Sequence, residues 1–268
     1  MISRGKRNVL GVSVDVIDYE SAVEQIVEAA KTRRPFAVTA LAVHGVMTGA
    51  MDPEQRFRLN QFDLVVPDGQ PVRWALNLLH SENLSDRVYG PTLMLKLCER
   101  CAKEGLPIYL YGSNAQVLTK LRQRLQSRFP ALKIAGSQPS RFRKVSAEEK
   151  KEIVQTIRDS GARVVFAGLG CPRQEVWAYE YREALSLPVI AVGAAFDFHA
   201  GTVPQAPATL QRAGLEWAYR LSREPKRLWR RYAVLNPLYI AMITAQATGL
   251  KRFDGNSGVR PNQEMNYG

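Results

Sequence analysis

The sequence predicts an α/β protein in which helices flank a parallel sheet and a basic, helical appendage follows. Short runs rich in β-branched residues alternate with longer amphipathic segments, as strands and crossover helices do in parallel sheets. Hydrophobic residues make up 46% of the 268 residues, enough for a large buried core. Pro204 and Pro207 then end the alternation, and residues 211–232 carry seven basic side chains against two acidic ones.

In chain order, we predict strands at residues 9–14, 36–39, 64–66, 107–111, 133–135, 163–167 and 189–192. Helices are predicted at residues 21–30, 54–62, 92–103, 115–128, 147–159 and 173–185. Ser146 can cap the helix at 147–159, with Glu149 at the capping-box position, and Pro172 suits a first helical turn. Cys98 and Cys101 have no second cysteine pair nearby, which favours a helix face over a zinc site.

The chain divides into an α/β core at residues 1–201, an appendage at 202–253 and a tail at 254–268, whose Asn and Gly content predicts flexibility. Residues 233–250 carry no charge but fall short of the ~20 apolar residues of a spanning helix. We therefore expect peripheral membrane contact there. The apolar run after the basic start is too short for a signal peptide, and three cysteines favour a reducing compartment.

The formal net charge of +12 requires an anionic partner: nucleic acid, a phosphorylated ligand or an acidic membrane surface. The sequence contains no zinc-finger spacing, basic zipper or RNP-type signature, so we expect no nucleic-acid partner. It also lacks G-x-G-x-x-G, a P-loop and G-x-S-x-G, and its three histidines have no metal-ligand spacing. We expect neither a metal nor a cofactor.

Unusual residues follow several predicted strands, where ligands bind in open parallel sheets. They are Thr39; Asp68; Gly112, Ser113 and Asn114; Gly168, Gly170 and Pro172; and Gly193, Phe196 and Asp197. Any one glycine could serve only a tight turn, but together these strand ends favour a nucleotide-type cleft. Asp68 could meet a ligand or could cap the helix that begins near Gln70.

Seven motifs occur along the chain in an order that is typical of a known protein family. They are Pro67-Asp68-Gly69, Arg87-Val88-Tyr89-Gly90, residues 170–177, residues 193–201, Ala206-Pro207, residues 214–221 and residues 224–232. The set resembles the WecG/TagA/CpsF glycosyltransferase family over about residues 8–235. The sequence departs from the family pattern where Ala40-Leu41 follows Thr39 without the usual Asn, where Thr92 replaces an Asp, and where Gln205 replaces a basic residue.

The resemblance implies a Rossmann-like core with an appendage that completes the site and contacts the membrane. It implies an inverting transfer of a sugar from a UDP-sugar to a polyprenyl-diphosphate-linked glycan, for surface polysaccharide or exopolysaccharide. The enzyme would work as a peripheral protein on the cytoplasmic face of the cell membrane. Asp68 would be the general base. The sequence leaves the donor sugar, the acceptor glycan and a homo-oligomeric state open.

The remaining roles follow from this reaction. Thr39 would orient a substrate, and Gln174 and Glu175 would recognise ribose or sugar hydroxyls. Phe196 and Asp197 could frame the base or the sugar, or be a core Phe and a structural Asp. Because the sequence has no D-x-D pair to hold a metal, the diphosphate would be neutralised by Arg220, Arg227, Arg230 and Arg231. These arginines could instead attract anionic lipid. The alternatives are a non-catalytic regulator that binds a nucleotide-sugar and a basic nucleic-acid-binding protein.

Overall fold

The computed structural model describes the whole chain except the side chains of Arg227, Arg230 and Arg231. The first elements are β1 (Ser3–Val9), β2 (Val12–Ile17), α1 (Tyr19–Thr32), β3 (Phe36–Leu41), α2 (Val43–Met51), α3 (Pro53–Asn60), β4 (Leu64–Pro67), α4 (Gln70–His80), α5 (Gly90–Glu104) and β5 (Ile108–Gly112). Then come α6 (Ala115–Arg128), β6 (Ile134–Gln138), α7 (Ala147–Asp159), β7 (Val164–Gly168), α8 (Arg173–Leu185), β8 (Pro188–Ala191) and α9 (Ala195–Ala200). The appendage contains α10 (Ala208–Arg212), α11 (Glu216–Arg223), α12 (Pro225–Arg230), a π-helical segment (Arg231–Leu235) and α13 (Asn236–Ala247).

The predicted fold class is confirmed. Strands β3 to β8 form a six-stranded sheet in the order β4-β3-β8-β7-β5-β6, and every neighbouring pair is parallel. Because side chains alternate along a strand, each strand feeds two cores. Val65 and Val189 pack on one face with α2, α3, α4 and α8, and Val66 and Ile190 pack on the other with α1, α5, α6 and α9. The sheet is therefore buried on both faces.

The prediction of a single strand at residues 9–14 is wrong. Two strands, β1 and β2, form an antiparallel hairpin separate from the parallel sheet. Leu10 and Gly11 form its turn with φ of 55° and 87°, as a two-residue hairpin turn requires. The hairpin lies beside β4, where the Asp15 carboxylate accepts a hydrogen bond from the Val65 amide at 2.7 Å. The apolar run hid this turn because Leu10 is itself buried.

The predicted helix starts agree with the structure more closely than the first predicted strand does. Ser146 and Glu149 form the predicted capping box of α7. Pro172 immediately precedes α8, one residue before the predicted first-turn position. Cys98 and Cys101 are buried on α5. Helix α2 was missed, because its glycine-containing sequence carries no N-cap side chain and no charge in its first turn.

The tail differs from the expectation of a flexible segment. The Glu180 carboxylate accepts hydrogen bonds from the Met265 and Asn266 amides at 2.7 and 2.9 Å, and the Tyr181 hydroxyl donates to the Tyr267 carbonyl at 3.1 Å. These partners are remote in sequence, so the composition of the tail could not reveal them. Within the described part of the chain, no helix is both long and apolar enough to cross a bilayer.

Candidate active site

A cleft of about 1200 Å³ opens at the carboxyl ends of the parallel strands. Turns after β3, β4, β5, β7 and β8 line it, together with α4, α11 and α13. The sheet order places the turns after β5, β7 and β8 toward one end of the cleft and the turn after β4 at the other. This is where ligands bind in open α/β sheets. The cleft exceeds the roughly 300–1,000 Å³ typical of a small-molecule pocket.

Asp68 follows β4 and lines the cleft. Its amide donates to the Leu41 carbonyl at 3.1 Å, and its Oδ1 accepts a hydrogen bond from the Gly90 amide at 2.5 Å. Burial raises the pKa of Asp68 to about 6, with Glu216 raising it further and Arg87, the Gly90 amide and Arg220 lowering it. A carboxylate with this pKa is ionised at neutral pH but remains a useful proton acceptor.

A buried polar network joins Asp68 to the appendage. The Arg87 guanidinium pairs with the Glu216 carboxylate of α11 at 2.9 Å and lies 4.1 Å from the centre of the Tyr89 ring. The Tyr89 hydroxyl donates to Glu216 Oε1 at 2.9 Å. Burial acts to lower the pKa of Arg87, but Asp68 and Glu216 raise it overall, so Arg87 is charged. Burial raises the pKa of Tyr89, which therefore keeps its proton. The sequence gives no local signal that Glu216 pairs with Arg87, because the two residues are 129 positions apart.

Thr39 does not reach the cleft. Its side chain is completely buried, and its hydroxyl donates to Glu175 Oε1 at 3.0 Å. Gln174 Nε2 donates to the same oxygen at 2.9 Å. Burial raises the pKa of Glu175. Thr39 therefore supports Gln174 and Glu175, the two cleft residues of α8. It does not itself line the cleft, where the predicted contact with a substrate would require it to lie.

Gln174 is better placed than Thr39 to meet a ligand in the cleft. It lines the cleft, and among the described residues its buried Oε1 has no hydrogen-bond partner. A Cβ added at Gly193 would lie 3.6 Å from the Gln174 amide group, so this glycine keeps the space beside it open. An unsatisfied buried carbonyl is costly unless a ligand donates to it. A sugar or ribose hydroxyl would be such a donor.

The predicted glycine turns serve different purposes. Ser113, Asn114, Gly168, Gly170, Pro172 and Gly193 line the cleft, whereas Gly112 does not. A Cβ at Gly112 would lie 2.6 Å from the Gly168 carbonyl oxygen, and its φ is 116°, so Gly112 is required by close backbone packing. Asn114 Oδ1 also caps α6 by accepting from the Val117 amide at 2.9 Å.

Of the two alternatives for Phe196, the structure shows the core Phe. Phe196 is fully buried in the core, where its ring packs against Gly168, so it cannot frame a ligand. Asp197 does line the cleft and accepts a hydrogen bond from the Thr202 hydroxyl at 3.2 Å. Phe142 and Phe198 line the cleft instead. Phe142 follows β6. The expectation that ligand-binding residues follow the strands of a parallel sheet would therefore have identified it, had it been applied to β6 as well.

Basic side chains reach the same cleft. Arg220 lines it, with its guanidinium 5.8 Å from the centre of the Phe198 ring. Arg87 and Arg173 also line it. The side chains of the other arginines predicted to bind phosphate, Arg227, Arg230 and Arg231, lie outside the described part of the structure.

The part of the cleft formed by α4 and α13 is apolar. Trp74, Leu78, Ile240 and Ile243 line it, and Leu78 and Ile240 are each 65% exposed. Side chains this apolar are rarely left open to water in such a group without a binding role. The Tyr239 hydroxyl joins the two helices by donating to the Pro71 carbonyl at 3.0 Å.

The fold and the cleft together define an α/β protein with a large cleft at the carboxyl edge of its parallel sheet, lined by the Asp68 carboxyl group. The chain belongs to the glycosyl transferase WecG/TagA/CpsF family, whose model matches residues 7–253. The resemblance found in the sequence is thereby confirmed. The protein is a glycosyltransferase, and the family implies a role in the synthesis of cell-surface polymers.

Proposed function

We propose that the protein is an inverting glycosyltransferase that moves a sugar from a UDP-sugar to a polyprenyl-diphosphate-linked glycan in the synthesis of surface polysaccharide or exopolysaccharide. The observation that carries this proposal is Asp68, a carboxylate of raised pKa in a cleft with polar turns at one end and apolar helices at the other. The polar turns suit a nucleotide-sugar and the apolar helices suit a lipid-linked acceptor.

One displacement accounts for inversion. The acceptor hydroxyl oxygen attacks the anomeric carbon from the face opposite the diphosphate, and its proton passes to Asp68. The bond between the anomeric carbon and the diphosphate oxygen breaks, and UDP leaves with that electron pair. Because Oδ1 of Asp68 is held by the Gly90 amide, the carboxylate is oriented before the acceptor arrives. General-base assistance of this kind is worth about 10²–10⁴-fold.

The donor lies, in this proposal, on the polar side. Gln174 and Asp197 contact its hydroxyls, and Phe142 offers a flat face to the base. Amides of the turns at Gly170 and Gly193 neutralise the diphosphate together with the arginines Arg220, Arg227, Arg230 and Arg231, because guanidinium groups match phosphate oxygens. Thr39 and Glu175 hold Gln174 in place.

This assignment predicts transfer without a divalent metal. Purified protein should retain full turnover in excess EDTA, because fixed positive groups neutralise the leaving diphosphate. The measurement is UDP release with and without EDTA, and a metal-dependent glycosyltransferase assayed beside it is the control. Loss of turnover in EDTA that Mn²⁺ restores would contradict the arginine assignment.

The acceptor lies on the apolar side, with its lipid along α4 and α13. Ile240→Glu should lower kcat/KM for a long-chain lipid acceptor by at least about tenfold, because a charge would then face the lipid. Donor binding should not change. Met51→Glu, on a side chain that is 60% exposed and does not line the cleft, is the matched control. Equal losses with long-chain and water-soluble acceptors would contradict a lipid site there.

The proposal extends to the organisation of the chain. Residues 1–201 form the catalytic core, and residues 202–253 complete the site and contact the inner face of the cell membrane. Exposed Trp217 and Trp229 in the basic appendage suit that interface. A screen of UDP-sugars against polyprenyl-diphosphate acceptors, read by mass spectrometry, tests the whole assignment. Nucleotide-sugar binding without transfer to any acceptor would favour the regulator instead.

A further inference from the structure

We propose that the tail, residues 254–268, positions the donor side of the cleft by holding the Phe142 loop, residues 139–146. The tail lies beyond the family match, which ends at residue 253. The inference rests on the proposed function, because it assigns a donor role to Phe142. Its basis is a pattern of backbone hydrogen bonds between two segments that are more than 100 residues apart in the sequence.

The Phe142 loop needs support from outside itself. Phe142 has a φ of 54°, in the left-handed region that a bulky side chain rarely adopts. Its ring lines the cleft and is 59% exposed, so burial of the ring does little to stabilise that backbone. Such a conformation persists only where the surroundings determine it.

The tail supplies that support on both sides of Phe142. The contacts are Arg141 N to Gly268 O at 2.9 Å, Gly268 N to Arg143 O at 3.1 Å, Val145 N to Asn266 O at 2.8 Å and the Ser140 hydroxyl to Gly268 O at 2.7 Å. Lys144 and Tyr267 form an antiparallel bridge within the same pairing. The tail therefore acts as a short strand that fixes the backbone before and after Phe142.

The tail is in turn fixed to α8, the helix that carries Gln174. Glu180 accepts the Met265 and Asn266 amides, Tyr181 donates to Tyr267, and the Arg173 guanidinium lies 5.5 Å from the centre of the Tyr267 ring. Phe142 and Gln174 thus belong to two elements that the tail joins. Fixing both to one segment sets their separation across the donor side of the cleft.

A second set of contacts also reaches the loop. Arg141 and Arg143 pair with Glu149, and Arg141 also pairs with Glu152 at 2.9 Å. These are side-chain contacts to the start of α7, and the Arg143 side chain is 55% exposed. The Arg141 and Glu149 side chains are only 26% and 25% exposed, so their pair contributes to holding the loop, but all of these side-chain contacts leave the peptide groups beside Phe142 unfixed. The backbone pairing with the tail is therefore the stronger constraint on the ring.

The test compares the intact chain with removal of residues 265–268 and with Glu180→Ala. Both changes should speed hydrogen exchange at the Arg141 and Val145 amides. The Kd of UDP should rise about tenfold, because only a fraction of the free protein would hold the loop ready to bind. The kcat at saturating donor should stay within about twofold, since a positioning role for the donor acts on binding.

Two further variants separate positioning from general damage. Glu180→Gln keeps one acceptor oxygen and should give an intermediate Kd, whereas Glu183→Ala, on the same helix with a side chain 73% exposed, should leave the Kd unchanged. If the intact chain binds UDP and the tail variants bind it equally well, the inference is overturned and the proposed function stands. If the intact chain fails to bind UDP, the proposed function and the donor role of the tail both fail.

Discussion

Asp68→Asn should lower kcat by about 10²–10⁴-fold, the usual contribution of a general base. Asparagine keeps the shape of the side chain and an oxygen that can accept the Gly90 amide, but it cannot take the acceptor proton. Binding of UDP should therefore change little while transfer falls. Asp159→Asn, on an exposed side chain at the end of α7 that accepts a hydrogen bond from Gln155 of its own helix, is the control. A variant that keeps more than a tenth of the transfer rate would sink the assignment of Asp68.

The pH profile provides a second measure of the same group. Burial raises the pKa of Asp68 to about 6, and only the ionised form can accept a proton. The kcat/KM of the intact protein should therefore increase as the pH rises through about 6 and then level off, since this parameter reports the free enzyme. Asp68→Asn should lose that step. A profile that is flat between pH 5 and 8 would contradict the proposed base.

Glu216→Gln should produce the second large effect. The change leaves the buried Arg87 guanidinium without its ion-pair partner, and breaking a buried pair from one side commonly costs about 3–5 kcal/mol. We expect the docking of α11 to weaken and transfer to fall at least about tenfold. Ser222→Ala, an exposed position on the same helix whose hydroxyl donates to the Tyr219 carbonyl, should have no effect.

The Glu216 variant also separates positioning from simple loss of stability. The negative charge of Glu216 raises the pKa of Asp68, and Arg87 lowers it. Removing that charge, and freeing Arg87 to act on Asp68 alone, both move the pKa of Asp68 downward. The midpoint of the kcat/KM profile should therefore shift to lower pH. If the rate falls while this midpoint stays fixed, Glu216 has a structural role only.

The features that could be predicted from the sequence are those in which a chemically active or capping side chain lies within a few residues of the element it serves. Pro67-Asp68-Gly69 combines a buried strand end with a carboxylate, and the parallel topology then places Asp68 at the ligand edge. The capping box of α7 is equally local, because Ser146 and Glu149 satisfy backbone groups within one turn. Such features depend on neighbours a few residues away, so a single sequence suffices to find them.

Features that depend on distant contacts could not be found in this way. Phe196 and Phe142 are both aromatic residues beyond strand ends, but Phe196 packs against Gly168, whereas Phe142 is exposed in a loop whose neighbouring residues Arg141 and Arg143 pair with Gly268. Thr39 is buried behind the cleft, where its hydroxyl donates to Glu175 of α8. Which residues after a strand face the cleft depends on the elements that pack against that strand end, and these are remote in the sequence.

The hairpin beside β4 limits how this sheet could grow. Asp15 occupies the Val65 amide, a group that an incoming strand would need at that edge. The opposite margin, β6, has no equivalent cover from the hairpin, since the two strands lie at opposite ends of the sheet. If two molecules paired through β6, the exposed ends of the combined sheet would be the two β4 edges, each of which is covered by a hairpin. Growth by strand addition would then stop at a pair and could not continue into a fibre.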